Sequence, residues 1–503
     1  MPPIPAAPKL ALALLLATGA ALAQKPAPLA PPGAPQGGKP PALGATPTPA
    51  PLVPLVPAPS LPAPDAARRP PAVPAPQAVA PLPPPPADED PAIRRLRATF
   101  GPNVQMAYRS ATVLDSSAGS FRLDGVTLRR PGAEATVDAL SITGQREDGV
   151  RQAELRNLVT TEQGGPRVTV AQARLDGLTI RRPAVPGQNI TPDAVSLDRF
   201  SLEGLRVESD TIVSVASLTV EDYGPGRQTR LRLENLAGER QRGSGADAFG
   251  LARLAVSGVD VATIWTQLIA GGRPEPTPGR LEALAENFTL SEGGRVLGGA
   301  ESLRIESETD AQLAGTGRAA LRGLRLDGVP QLQDFLTRLG YQALVGDITL
   351  EGGYQPQGGR MTLPSFVIAA PGFGSISLSM DMDGVDRDAP AETLMTRMRL
   401  LAMAIRYRDE GLLPRALRMQ AAQQRVNETQ LREQIIGMAN AVIGGPAAAA
   451  LREPIERFVR GQAQELEITA RPPQPVPLTA LSAQPPRNAE EAQRRYGLTA
   501  SAR

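Results

Sequence analysis

The chain contains no cysteine and no histidine, and its only lysines are Lys9, Lys25 and Lys39. Without thiol or imidazole there is no Ser-His-Asp triad, no cysteine nucleophile and no His/Cys zinc site. Beyond Lys39 every basic side chain is Arg, which removes Schiff-base chemistry, Ser-Lys dyads and the lysine of a phosphate-binding loop. Aromatic residues make up only 3% of the chain, too few for a nucleic-acid stacking platform or the aromatic girdle of an outer-membrane barrel. The 53 basic and 51 acidic residues nearly cancel, so no net field draws in nucleic acid or anionic lipid. Without cysteine, an exported fold must rest on burial and sheet pairing alone. The Arg-for-Lys usage, with abundant Ala, Gly and Pro, reads as the bias of a high-GC bacterial genome.

What is present is a repeat. The pattern apolar, x, apolar, x, Gly, apolar, x, apolar starts at Phe121 (FRLDGVTL), Ala173 (ARLDGLTI), Phe200 (FSLEGLRV) and Leu254 (LAVSGVDV). A variant with one extra apolar residue starts at Ala319 (AALRGLRL), and a partial copy starts at Met380 (MDMDGV). Two further copies, AELRNLVT and LRLENLAG, place Asn157 and Asn235 at the Gly position. Alternation on either side of the Gly indicates strand, but the apolar phase slips by one residue across it. Such a slip needs an extra residue, as in a β-bulge or tight turn. Gly and Asn enter left-handed backbone most cheaply, which explains their exchange at this one position. The segments RLDGVTLRRP and RLDGLTIRRP agree at eight of ten positions, 52 residues apart. The expected fold is therefore mainly β: an elongated, curved antiparallel sheet built from strand repeats with Gly/Asn bulges, short intervening helices and a C-terminal helical segment.

Composition divides the chain. Lys9, the apolar run Leu10 to Leu16 and the small-x-small sequence Ala21-Leu22-Ala23 predict a signal peptide over 1–23, hence export to the periplasm. No Cys follows the run to carry a lipoprotein anchor, and no later segment is long and apolar enough to span a bilayer. Residues 24–91 form a Pro-rich linker, 25 of the 67 residues from Lys25 to Pro91 being proline. Such sequence has few donors and little to bury, so it should be disordered and extended, reaching on the order of 200 Å at full stretch. Two β-repeat regions follow, 92–278 and 279–402, divided near the turn formers of Gly271 to Pro278. Helices are expected at Val261–Ala270 and Gln331–Leu339, each after a Gly-containing strand. A C-terminal segment, 403–472, should carry helices at Leu412–Val426, from Asn427 to Ile443, and at Ala447–Arg460, then a strand at Glu465–Ala470. In it Asn427 and Gln430 have capping-box spacing, and Pro454 should kink or delay the third helix. Residues 473–503 read as a disordered tail. Trp265, the only tryptophan, falls on an apolar helix face and is expected in the core.

The surviving chemistry is that of carboxylates, either a glycosidase pair or an oxygen-ligand cation site. Asp124, Asp176, Glu203, Asp327 and Asp383 beside the repeat glycines are the candidates. Asp before Gly is ordinary turn chemistry, and Glu234 and Arg322 share that register, so no catalytic, cofactor or metal residue is assigned. Asp381, Asp383, Asp386 and Asp388 lack the spacing and the final Glu of a calcium loop. Arg129-Arg130 and Arg181-Arg182 end two repeat strands and could line a basic strip facing phosphate or lipopolysaccharide. Solvated strand ends explain them equally well.

An apolar leader, long strand repeats with a Gly slip and terminal helices together resemble the AsmA-like group of Gram-negative envelope proteins. The segment Ala404 to Gln424 (AIRYRDEGLLPRALRMQAAQQ) is similar to a recurring element of such proteins, with Tyr407, Asp409, Leu412 and Arg415 as matching residues. The resemblance covers Phe121 to Ala470. It implies a long curved sheet whose concave face holds lipid chains, and it supplies no catalytic residue. The chain departs from better-known members in its Pro-rich linker and in lacking a clear N-terminal membrane helix. Two functional expectations follow. One is a non-enzymatic envelope scaffold or lipid-accommodating groove, with acyl chains or envelope components as partners, and no cofactor. The alternative is a carboxylate-based hydrolase of envelope polysaccharide. A plain one-sided sheet without ligand satisfies the alternation as well.

Overall fold

The computed structural model describes residues 82–503, apart from 101–102, 182–189, 241–246, 272–276, 327, 329, 387–388, 390–392, 394–395, 444–448, 484–485 and 487. The expected signal peptide and most of the Pro-rich segment lie outside the described residues. Helix α1 (Pro91–Phe100) precedes two short strands, β1 (Gln105–Ala107) and β2 (Ser110–Asp115). Eight long strands follow: β3 (Ser120–Arg130), β4 (Ala133–Gln145), β5 (Gly149–Glu162), β6 (Arg167–Ile180), β7 (Val195–Glu208), β8 (Thr211–Tyr223), β9 (Thr229–Arg240) and β10 (Ala248–Val259). Helix α2 (Val261–Ile269) leads to β11 (Gly279–Glu292), β12 (Arg295–Thr309) and β13 (Gly315–Leu326). Helix α3 (Pro330–Arg338) leads to β14 (Leu344–Gln355), β15 (Arg360–Ala370), β16 (Gly374–Asp383) and β17 (Arg399–Asp409). Three helices, α4 (Leu412–Gln424), α5 (Glu428–Val442) and α6 (Ala449–Val459), precede β18 (Glu465–Ala470). The order ends with β19 (Val476–Pro477), α7 (Leu478–Ala483), α8 (Ala489–Tyr496) and β20 (Leu498–Ala502).

Among the described residues, twenty strands form a single open antiparallel sheet. From β3 to β18 each strand pairs with its successor in the chain, and β20 pairs with β18. β1 and β2 lie end to end along β3, and β19 lies beside β17. Nearly every strand pairs with its neighbour along the chain, so the sheet grows sideways strand by strand, as a repeat does.

The repeat glycines do what the phase slip demands. Gly125, Gly177 and Gly204 have φ of 63°, 68° and 63°, and Asn157 and Asn235 take 50° and 51°. On β3, β5, β7, β9, β11 and β13 one such residue (Gly125, Asn157, Gly204, Asn235, Asn287, Gly323) forms a line across the sheet. At Gly125 the β3–β4 register is the same on both sides, Asp124 facing Ala139 and Val126 facing Val137. Both strands therefore slip in step, and the apolar residues Phe121, Leu123, Val126 and Leu128 all stay on one face. At Gly258 and Gly323 the register itself shifts, as a bulge requires.

The core lies at the N-terminal end. Inner residues of β3 to β8, such as Phe121, Leu158 and Leu202, are fully buried together with Ile93, Leu96 and Phe100 of α1. A ten-residue helix is about 15 Å long, too short to cover six strands about 24 Å across. The inner residues of these strands and of α1 nevertheless form one contiguous buried cluster. Helix α1 begins where Asp90 accepts from the Ala92 amide and Pro91 takes the first position, both good starting residues. Burial pushes the Glu89 carboxyl up, but the Arg97 guanidinium and the Tyr108 hydroxyl outweigh it and hold it low. Folded structure thus begins before residue 92, inside the segment expected to be linker.

The other helices fall close to their expected places. Asp260 caps α2, Asn427 accepts from the Gln430 amide to start α5, and Pro454 sits inside α6. Three expectations are corrected. Residues 473–503 are not a disordered tail: α8 packs Ala492 and Tyr496 against Val476, and β20 pairs five residues with β18. Trp265 is not core but 54% exposed on α2, beside Leu268 and Ile269 on the same outer face. Nor does the sheet break near residue 278, since β10 and β11 pair in continuous register from Ala248–Ser291 to Ser257–Glu282.

Candidate functional site

Residues paired across neighbouring strands point to the same side of a sheet. Following the pairs from Phe121 gives Ile142, Ala153, Leu175, Phe200, Val220, Leu231 and Val256, one per strand from β3 to β10. The same row continues through Ala283, Ile305, Ala319, Leu350, Phe366, Leu378 and Ile405 to Ile468 and Ala500. Every member is apolar. A second row two residues away, from Leu123 through Leu303, Ile348 and Ile368 to Leu466, is apolar as well, Tyr407 being its one polar-tipped member. The opposite face carries Arg, Asp, Glu, Ser and Thr. It is laced with ion pairs such as Arg174–Asp176 and Arg304–Glu306, which contribute little stability in water.

Coverage of this apolar face changes along the sheet. On β3 to β7 the first-row residues Phe121, Ile142, Leu175 and Phe200 are at most 7% exposed. On β12 to β17 the row residues Leu303, Ile305, Leu350, Ile368, Ile376 and Ile405 are 37–47% exposed. At the C-terminal end cover returns, with α6 on β18 and β20 and its Phe458 meeting Tyr407 edge-on at 5.7 Å. The face is thus a trough closed at both ends and open from β10 to β17. Eight strands give an open width of about 34 Å, and the apolar stretch of each strand is about 20 Å long. That is an apolar area of several hundred Å², more than an ordinary surface leaves uncovered.

The carboxylate candidates do not converge. Asp124 pairs with Arg122, Asp176 with Arg174 and Asp383 with Arg399, at 3.0, 3.0 and 2.7 Å, all on different strands. Glu203 is exposed, between Gln172 and Ser217 of the neighbouring strands, and Asp327 lies outside the described residues. In the acidic run, Asp381 and Asp386 are held by Arg360 and Arg397, and Asp388 lies outside the described residues. No group of three potential metal ligands occurs among the described residues. Arg129 and Arg130 are neutralised by Glu134 and Glu162, Arg181 reaches the Asp193 carbonyl, and Arg182 is not described, so no basic strip forms from them.

The residues that carry the resemblance form a joint between sheet and helices. Tyr407 donates to Asp409 at 2.8 Å, and Asp409 accepts from the Leu413 amide at the start of α4. Arg415 donates to the Gly340 carbonyl at 2.8 Å and lies over the Tyr341 ring, itself stacked on Phe373. Burial first, and then the bond to Asp409, push the Tyr407 hydroxyl above the usual phenol range. This joint fixes the helices that close the trough. Among the described residues no helix is long and apolar enough to cross a membrane. A protein-family model described as "Uncharacterized protein" matches residues 367–503, which run from β15 through this joint to β20. No curated protein matches the chain.

Proposed function

We propose that the protein is a non-enzymatic component of the bacterial envelope, exported to the periplasm, whose sheet accommodates lipid acyl chains along its apolar face. One observation carries this reading: two unbroken apolar rows cross seventeen strands and lie open on β10 to β17. Water against that much apolar surface is costly, and acyl chains are the abundant apolar material of an envelope. The resemblance to AsmA-like proteins supports the same reading. For the hydrolase alternative, Asp124, Asp176, Glu203 and Asp383 stand on four different strands and do not face one another across a cleft, the geometry such chemistry needs.

The test is mass spectrometry of lipids that co-purify with the full chain from envelope extracts. The wild type should carry phospholipid or another acylated molecule. The double variant Leu350→Asp, Ile368→Asp places two charges on half-exposed positions of the open rows. It should fold, with an unchanged circular dichroism spectrum, and lose most of the bound lipid. A wild-type protein that emerges free of lipid, or a double variant that retains it, overturns the reading.

A further inference from the structure

Beneath α1 the packing is incomplete. Between Leu96 and Phe100 of the helix and the inner residues of β4 to β7 lies a cavity of about 120 Å³. Its walls are Leu140, Leu155, Leu175 and Phe200, with Ala153 at its edge. Leu140 and Ala153 remain only partly buried although the residues around them are closed off. Gln145, Arg146 and Glu147 form a polar rim at the β4–β5 turn, and Thr99 of α1, Glu154 of β5 and Arg174 of β6 also border the cavity. Arg146 and Glu147 cancel, as do Arg174 and Glu154, so the lining has no net charge to select an anion. An apolar cavity of roughly 150 Å³ stays dry and admits a molecule of benzene size, so this one is open to a small apolar group.

We infer that this cavity is a binding site for the end of a single aliphatic chain, its uncharged or zwitterionic head left at the Gln145–Glu147 rim. The choice of an aliphatic occupant rests on the envelope-lipid reading. The site is nevertheless distinct from the open rows, because α1 roofs it and it is built from the strands that are otherwise fully packed. The volume admits the tip of a chain and not its length. Affinity should therefore rise as a chain lengthens and stop rising once the cavity is full.

The experiment is calorimetric titration of the full-length protein with straight-chain alkanols from butanol to decanol, with decanoate as an anionic comparison. Binding at one site per chain is expected, tightening about fourfold for each added methylene until a plateau is reached within the series. Decanoate should bind no better than decanol. Ala153→Phe, which puts a benzene-sized group into the cavity, should weaken decanol binding at least tenfold. Leu155→Ala, which enlarges the cavity, should move the plateau to a longer chain and serves as the test if Ala153→Phe does not fold. The Leu350→Asp, Ile368→Asp variant should bind decanol as the wild type does. Absence of one-site binding, a series without a plateau, a clear preference for decanoate, or an unmoved plateau in Leu155→Ala overturns the inference. Loss of decanol from the Leu350→Asp, Ile368→Asp variant would assign the binding to the open rows, defeating this site while leaving the trough in place.

Discussion

At the scale of residues, Gly125 and Gly204 define the repeat. A Cβ on Gly204 would stand 2.9 Å from the Ala171 Cβ, and one on Gly125 would stand 3.1 Å from the Arg109 Cβ, with φ positive at both. A β-branched residue pays for the left-handed backbone and for the contact together. Gly125→Val should cost about 1–3 kcal/mol in urea denaturation, while Gly125→Asn should cost under about 1 kcal/mol. Equal midpoints for the two variants would contradict this account. Tyr223 gives a second prediction. Burial, helped by the nearby Asp193 and Asp260 carboxylates, pushes its hydroxyl from 10.0 up to about 12, and the group donates to the Pro192 carbonyl. The folded state holds this proton more tightly than the unfolded chain, so its stabilisation is complete below pH 10 and is lost as pH rises towards about 12. Tyr223→Phe should flatten that part of the alkaline stability profile. A profile identical to wild type over that range would show that Tyr223 titrates normally.

Among the elements, those with a strong local signal were legible. Asn427 with Gln430 marked the start of α5, and the alternation of Glu465 to Ala470 marked β18 to its ends. Helix α1 was missed because its pattern, Ile93, Leu96 and Phe100, follows directly on proline-rich sequence that reads as linker. Trp265 was misplaced because α2 has few polar residues, so its inner and outer faces look alike until a single 3-10 turn at Pro192–Ala194 packs on one of them. The terminal strand β20 was hidden by its brevity and by the helix-forming, polar sequence before it. Removing residues 498–503 should expose the edge of β18 and its unpaired backbone groups. The truncated protein should form higher oligomers in light scattering and melt earlier. A monomer with an unchanged melt would mean that β20 does not close the edge.

Across the whole molecule, protection is unequal. β3 to β8 combine sheet bonds with a closed core, whereas β10 to β17 have the bonds with one side open. Amide hydrogen exchange should therefore be slowest in β3 to β8 and faster from β10 to β17, the order expected when opening follows local burial. Uniform exchange would argue that the open face is covered in solution. The repeat itself, the left-handed positions, the one-sided alternation and the lack of His, Cys and any Lys beyond Lys39 were determined by the sequence alone. These properties are local: the side-chain period of a strand and the cost of a positive φ depend on a few adjacent residues. Only the tertiary structure decided that seventeen strands align their apolar residues in two unbroken rows, that helices cover the ends and leave the middle open, and that each described candidate carboxylate stands beside its own arginine or apart from the others. Register between strands and the cover over a face are set by partners distant along the chain, and no window of sequence contains both sides of such a contact.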